Sequence, residues 1–386
     1  MLYRPVLLIA GLGLMLLLSL IPVDPGYAQD DPWTCDEGPN DILNAAYAAR
    51  DAGDLDTALA LAEEAQIVCA DNLSRTLEAI NLLGEINKLQ QPTPVPLDPP
   101  DYSDIRFGEG TPAMRLLDVY VPDDAGEPVP TIVLLHGLPG SKATLAGWAL
   151  ELAEHGFGAV TITWRPPAYA GIERSIGDPL CAVAWIHAHG ESYGLDPERI
   201  AVWGLSASGW AAATIATLDD PALFLDDCDY TMPDGEWVDA AVVQAALLPD
   251  FEGAVDSYVN NEIISLANWF PGIAREDVPE AIAPLTLPPS EWDEAAWGPE
   301  TLRIAHTYGP YWADPADPPV LFLHGTADTT VSIEAAQYYA DYYASVGIEV
   351  VPVWVEGMGH EGGGGDSVLQ STAMTIYLFL VQHLAG

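Results

Sequence analysis

The segment 199–216 constrains this chain more than any other. An apolar β-run, Arg199-Ile-Ala-Val-Trp203, turns through Gly204-Leu-Ser-Ala-Ser-Gly209 and continues as a small-residue helix to Ala216. A strand that becomes a helix within so few residues needs unusual backbone angles at the turn and leaves room only for small neighbours. Gly204 and Ser208 meet that need. Ser206, between them, is left exposed at the strand's end above a helix N-terminus. The usual spacing for such an elbow is Gly-x-Ser-x-Gly. Here Ser208 holds the second glycine position and glycine comes one residue later, which is tolerable if the Ser208 side chain turns away from the crowded strand–helix contact.

The rest of the chain tells whether this turn sits in a sheet. Short apolar stretches at 116–121, 131–136, 158–164, 200–204, 239–247, 320–324 and 348–355 are separated by segments of helical periodicity. Strands without a polar face, alternating with helices, predict an α/β fold: a mostly parallel sheet covered on both sides. The stretch 250–318 breaks the rhythm with Trp269, Trp292, Trp297, Trp312 and many prolines. It reads as an insertion at the top of the sheet, a lid or substrate wall, with a plain crossover of packed aromatics as the alternative. The catalytic domain would span 102–386, after a proline-rich linker at 91–101. Residues 29–90 are rich in Ala, Leu and Glu. They resemble one tetratricopeptide unit around the Gly53-Asp54 turn, followed by a further helix at 72–89. One unit is too short to form a solenoid, so a helical appendage is expected, with protein docking through 36–90 as the weaker option.

Composition narrows the partners. The chain carries 57 acidic against 12 basic residues, a formal net charge of −45. Such a field repels nucleic acid and anionic membranes, which excludes both as partners of the folded body. It also predicts an environment of high salt, where self-repulsion is screened. The melting temperature should therefore rise from low to molar salt, and a steady fall in a thermal-melt series would contradict this.

Residues 1–28 read as an export signal. Arg4 supplies a positive start, 6–23 is uncharged and apolar, and Gly26-Tyr27-Ala28 sets small residues three and one before a cut after Ala28. An uncleaved anchor is the alternative, since the apolar run approaches bilayer length. Either way the body is extracytoplasmic, where disulfides form. Cys35 and Cys69 bracket the helical hairpin and are placed to pair. Cys181 is expected near the start of a helix at the top of the sheet and Cys228 in a loop at the bottom, which argues against their pairing. The cysteine spacing gives no zinc pattern.

A serine hydroxyl is a weak nucleophile and needs a base, an orienting acid and an oxyanion site. Asp328, in Phe322-Leu-His-Gly-Thr-Ala-Asp328, follows a buried strand; Asp250, after an earlier strand, is its rival. His360, in Glu356-Gly-Met-Gly-His360, follows the last strand on a glycine-rich loop able to bring the imidazole back over the serine. His136 and His324 each precede glycine at a strand end and read as loop braces. The remaining histidines fall on predicted helices or in the insertion. For the oxyanion, backbone N–H groups of Ala207 and Leu138 are the candidates, because Pro139 has none to give. This chemistry requires no metal and no organic cofactor.

Residues 104–386 resemble the α/β-hydrolase superfamily. The similarity lies near secreted carboxylesterase/lipase-like and feruloyl-esterase-like members, with prolyl oligopeptidases and dienelactone hydrolases as related branches. The matching stretches are Arg115-Leu-Leu-Asp-Val-Tyr-Val-Pro122, Thr131–Gly140, Tyr193–Ile200, Gly204–Gly209, His324-Gly-Thr-Ala-Asp328 and Gly357-Met-Gly-His360. The resemblance implies Ser206 as nucleophile, His360 as base and Asp328 as orienting acid, acting on a small-molecule or polymer-linked ester. Two alternatives stay open: an exopeptidase of the prolyl-oligopeptidase type, and a binding protein that keeps the fold without turnover.

Overall fold

A computed structural model describes residues 34–35, 41–69, 75, 82, 97–109, 113–123, 125–235, 237–249, 270, 273, 276–287, 289–360 and 366–384. The predicted helix at 72–89 falls mostly outside these residues, as do the export segment, Asp250 and Trp269. The chain separates into two compact units, Met1–Pro96 and Leu97–Gly386. In the first, α1 (Ile42–Asp51) and α2 (Leu55–Val68) form a helical hairpin. Asp41 caps α1 by accepting from the Leu43 N–H at 3.0 Å. Gly53 turns the chain with φ +80°. Ala46, Ala58, Ala62 and Ala65 are fully buried, and their small side chains let the helices pack closely. Cys35 and Cys69 are disulfide-bonded, with Cα atoms 5.1 Å apart.

The second unit is built on one eight-stranded sheet. Its strands are β1 (Tyr102–Arg106), β2 (Leu116–Tyr120), β3 (Val129–Leu135), β4 (Gly158–Thr163), β5 (Leu195–Leu205), β6 (Ala240–Gln244), β7 (Val320–Gly325) and β8 (Val350–Val355). They lie in the order β1-β2-β4-β3-β5-β6-β7-β8. β2 runs antiparallel to both β1 and β4, and every later pairing is parallel. All seven expected strands are present. The added one, β1, has mostly exposed residues, so it carried no apolar run to betray it.

Helices cover both faces. On one side lie α3 (Ala146–Glu154) and α9 (Asp366–Leu384). On the other lie α4 (Ile172–His189), α5 (Ala207–Ile215) and α8 (Ile333–Val346); between β6 and β7 run the short α6 (Val278–Ile282) and α7 (Pro299–Ala305). Alternation along β3 shows how one strand feeds two cores. Ile132 and Leu134 pack with the α3–α9 side, whereas Val133 and Leu135 pack with the α4–α5–α8 side. Double-sided burial is why these strands read as continuous apolar runs.

The expectation that Cys181 and Cys228 would be kept apart is overturned. They are disulfide-bonded, with Cα atoms 5.7 Å apart. The stretch between α5 and β6 is long enough to climb back along α4 rather than stay at the foot of the sheet. Gly177 of α4 packs directly beneath it, since a Cβ there would come within 2.2 Å of the Phe224 carbonyl oxygen. At the end of the climb, the Arg115 guanidinium donates to the Asp227 carbonyl at 2.9 Å, and Arg165 donates to the Asp227 carboxylate at 2.8 Å.

In the described part of the 250–318 stretch, the aromatic side chains pack on one another and against the core. Trp292 and Trp297 meet with ring centroids 5.5 Å apart, and Tyr311 meets Trp312 at 4.8 Å. The stretch is tied to the helix that follows Ser206. Trp210 and Thr214 both donate to the Thr307 carbonyl, and Thr217 donates to that of Gly309.

Candidate active site

The site is assembled at the C-terminal ends of neighbouring parallel strands. β5 ends at Leu205, and Ser206 joins it to α5 with φ 58° and ψ −119°. A positive φ in a residue with a Cβ costs about 1–3 kcal/mol and persists only where the surroundings impose it. Here they do. The Ser206 N–H donates to the Gln244 carbonyl at 3.0 Å, and the Ser206 carbonyl accepts from Leu247 at 2.9 Å and from Gly209 at 3.0 Å. β6 thus clamps the turn from the side.

Ser208 does not turn away from the contact as expected. It is buried, and its hydroxyl donates to the Leu135 carbonyl at 2.7 Å while accepting from the Leu205 N–H at 2.9 Å. The hydroxyl therefore ties the end of β3 to the end of β5. The position that must be glycine is the next one: a Cβ on Gly209 would sit 2.2 Å from that of Ala246. The irregular spacing follows from this shift of the tightest contact by one residue.

Asp328 and His360 arrive on two loops stitched together. Thr326 donates its N–H to the Val355 carbonyl, Ala327 donates to that of Met358, and Gly357 donates to the Thr326 hydroxyl, each within 3.0 Å. These bonds bring His360 Nδ1 to 2.8 Å from Asp328 Oδ2, and His360 Nε2 to 2.9 Å from Ser206 Oγ. The Asp328 side chain is fully buried, while His360 stays 18 % exposed. Asp328 Oδ1 accepts from the N–H groups of Thr330 at 2.8 Å and Val331 at 2.9 Å. With Nδ1–H donated to the carboxylate, the imidazole presents a lone pair at Nε2 to the serine hydroxyl. That arrangement can accept the proton of a nucleophilic alcohol.

The loop after β3 lies against the serine, since a Cβ on Gly137 would fall 3.0 Å from Ser206 Cβ. His136 sets the loop's backbone. Its ring is buried against Trp164, with centroids 5.4 Å apart, and its Nδ1 lies 2.7 Å from the Gly137 carbonyl oxygen. The partner is an acceptor, so Nδ1 carries the hydrogen. Burial pushes this imidazole below the usual histidine range, which keeps it neutral. Because the peptide is planar and trans, fixing the Gly137 carbonyl toward His136 directs the Leu138 N–H the opposite way. Ala207, the first residue of α5, contributes an N–H that the helix itself leaves unpaired.

Ser206, Asp328, His360, Leu138 and Ala207, the five residues that the sequence marks, lie at the same end of the sheet. Missed from the sequence were the Ser208 bridge and the nearness of His324 to Asp328. The second was legible in the spacing: a histidine four residues before the acid, at a strand's end, faces the same turn.

Residues 117–281 match the BD-FAE family, an α/β-hydrolase-type family of feruloyl esterases. No curated protein sequence matches the chain. Among solved structures it is similar to a truncated carbohydrate esterase from gut microbiota, with 17 % identity and a TM-score of 0.52, covering 74 % of this chain and 96 % of that one. It is also similar to a thermophilic esterase from Thermogutta terrifontis solved with propionate, with 22 % identity, a TM-score of 0.52 and coverage of 70 % and 90 %. The same esterase phosphoramylated by tabun gives 19 % identity, a TM-score of 0.53 and coverage of 76 % and 99 %.

Proposed function

We propose that this chain is an α/β-hydrolase of the esterase type, an exported serine hydrolase cleaving carboxylic esters through Ser206, His360 and Asp328. The reading rests on the chain of short contacts from Ser206 Oγ through the His360 imidazole to the buried Asp328 carboxylate. His360 Nε2 takes the hydroxyl proton as Ser206 Oγ attacks the acyl carbon. Negative charge grows on the former carbonyl oxygen, and the N–H groups of Leu138 and Ala207 receive it. The protonated imidazole then gives its proton to the departing alcohol, leaving an acyl-serine. Water, deprotonated by the same Nε2, attacks the acyl carbon, and Ser206 leaves with the proton returned to it. Asp328 keeps one tautomer in place throughout.

Two disulfides in the described residues support an oxidising, extracytoplasmic compartment. Related esterases bound to propionate or modified by an organophosphate support a reactive serine and a carboxylic acyl group. The test is direct. A fluorophosphonate should label the purified protein in a single stoichiometric step and abolish hydrolysis of aryl acetates and propionates. A dipeptide panel should give no comparable turnover. Labelling at a residue other than Ser206, or dipeptide cleavage outpacing ester cleavage, would overturn the assignment.

A further inference from the structure

We infer that His324 is a positioning residue of the hydrolytic site, holding the Asp328 carboxylate in place for His360 through its Nε2–H; the inference rests on the ester-hydrolase reading above. His324 stands on β7, one residue before its end, and its side chain is only 1 % exposed. Nε2 lies 3.2 Å from Asp328 Oδ2 and 3.2 Å from the Val331 carbonyl oxygen. Both neighbours are acceptors, so Nε2 must carry the hydrogen and shares it between them. The other nitrogen, Nδ1, is buried with no hydrogen-bond partner among the described residues, as suits an unprotonated lone pair. Burial pushes this imidazole below the usual histidine range even though Asp328 draws it up, so it stays a neutral donor. The titratable groups that bear on it are Asp328, His360 and Glu334.

The contact matters because of what else holds the carboxylate. Oδ1 is held by N–H groups of its own loop, Thr330 and Val331. Among the described residues, Oδ2 meets two donors, His360 and His324. His360 sits on a separate loop and is the group that Asp328 must orient, so it cannot also serve as the fixed reference. His324 supplies that reference from a central strand. Constellations anchored on strands are held more closely than those anchored on loops. A brace serving only the loop backbone would need the Val331 carbonyl and not the carboxylate.

Steady-state aryl-ester kinetics on three variants test this. His324→Leu removes the donor. His324→Gln puts an amide N–H near the Nε2 position, and His324→Asn stops short of it. The Leu and Asn variants should lose roughly 10- to 100-fold in kcat, the loss expected for a hydrogen bond to a charged group, with KM nearly unchanged. With one donor gone, the carboxylate pulls harder on His360, and the acidic limb of kcat/KM should move to higher pH. The Gln variant should recover most of kcat and return the limb toward the wild-type position. If the Leu variant does not fold, the Gln–Asn comparison decides alone. Equal kcat and equal limbs in Gln and Asn, or losses that only track the folded fraction seen by circular dichroism, would overturn the inference. Fluorophosphonate labelling of the wild type separates the two levels. An unlabelled wild type defeats the ester-hydrolase reading, whereas a labelled wild type with insensitive His324 variants defeats only the role of His324.

Discussion

Replacing Ser206 by alanine is expected to lower kcat for aryl-ester hydrolysis by about 10⁴- to 10⁶-fold while leaving the fold intact. Alanine fits the crowded turn, and the backbone bonds of Ser206 to Gln244, Leu247 and Gly209 do not involve the hydroxyl. The positive φ of residue 206 is no worse for alanine than for serine. His360→Ala should cost a similar factor, because the hydroxyl is a poor nucleophile without the lone pair 2.9 Å away. The double variant should lose little beyond either single one, since the two groups act as a unit. Asp328→Asn is expected to cost about 10³- to 10⁴-fold by a different route. An amide N–H at the Oδ2 position would face the imidazole and favour the tautomer with its hydrogen on Nε2, directed at Ser206. Pre-steady-state burst amplitude and kcat, measured on one aryl ester, check all of these. An S206A protein that turns over within tenfold of wild type would remove the nucleophile from the proposal.

The largest expected effect on stability lies away from the chemistry. Asp178→Asn should destabilise the second unit by about 3–5 kcal/mol, because it leaves buried guanidinium charge uncompensated. The Asp178 side chain is fully buried and that of Arg115 is 1 % exposed, with Nε of Arg115 3.2 Å from the carboxylate. Arg165 grips the same carboxylate through Nε and Nη2, the latter at 2.6 Å, and through its own backbone N–H at 2.8 Å. Arg165 then reaches on to Asp227, whose carboxyl is held below the usual range because Arg165 outweighs the cost of its partial burial. This network joins the start of β2, the loop after β4, the first half of α4 and the strand-return loop that carries Cys228. A lowered urea midpoint with an unchanged slope would be the signature. Removing a surface charge such as Glu300 should do nothing comparable. An Asp178→Asn variant as stable as wild type would mean that the two arginines find water or other acceptors.

The chemistry was legible early for a physical reason. A nucleophilic serine at a strand–helix turn demands small neighbours within a few residues. An acid and a base that must meet it demand strand ends later in the chain, so Ser206, Asp328 and His360 leave local marks. The sheet was legible for a similar reason, since strands such as 131–135 are buried on both faces and show it as unbroken apolar runs. β1 escaped notice because its exposed residues carry no such mark. The pairing of Cys181 with Cys228 escaped because a loop's course depends on what it finds along the way. Two arginines and a glycine far apart in sequence drew that loop upward.

By itself, then, the sequence determined the strand–helix alternation, the serine turn and the order of the acid and base. Each of these is enforced by steric and hydrophobic demands acting over a few residues. Only the tertiary structure decided that Ser208 could replace a glycine, by giving its hydroxyl the Leu135 carbonyl, and that the obligatory glycine moved to 209 against Ala246. Only the tertiary structure set His360 within reach of both Asp328 and Ser206, which arrive from separate strand ends. Distances between side chains on separate strands follow from register and packing, and no local pattern in the chain encodes them.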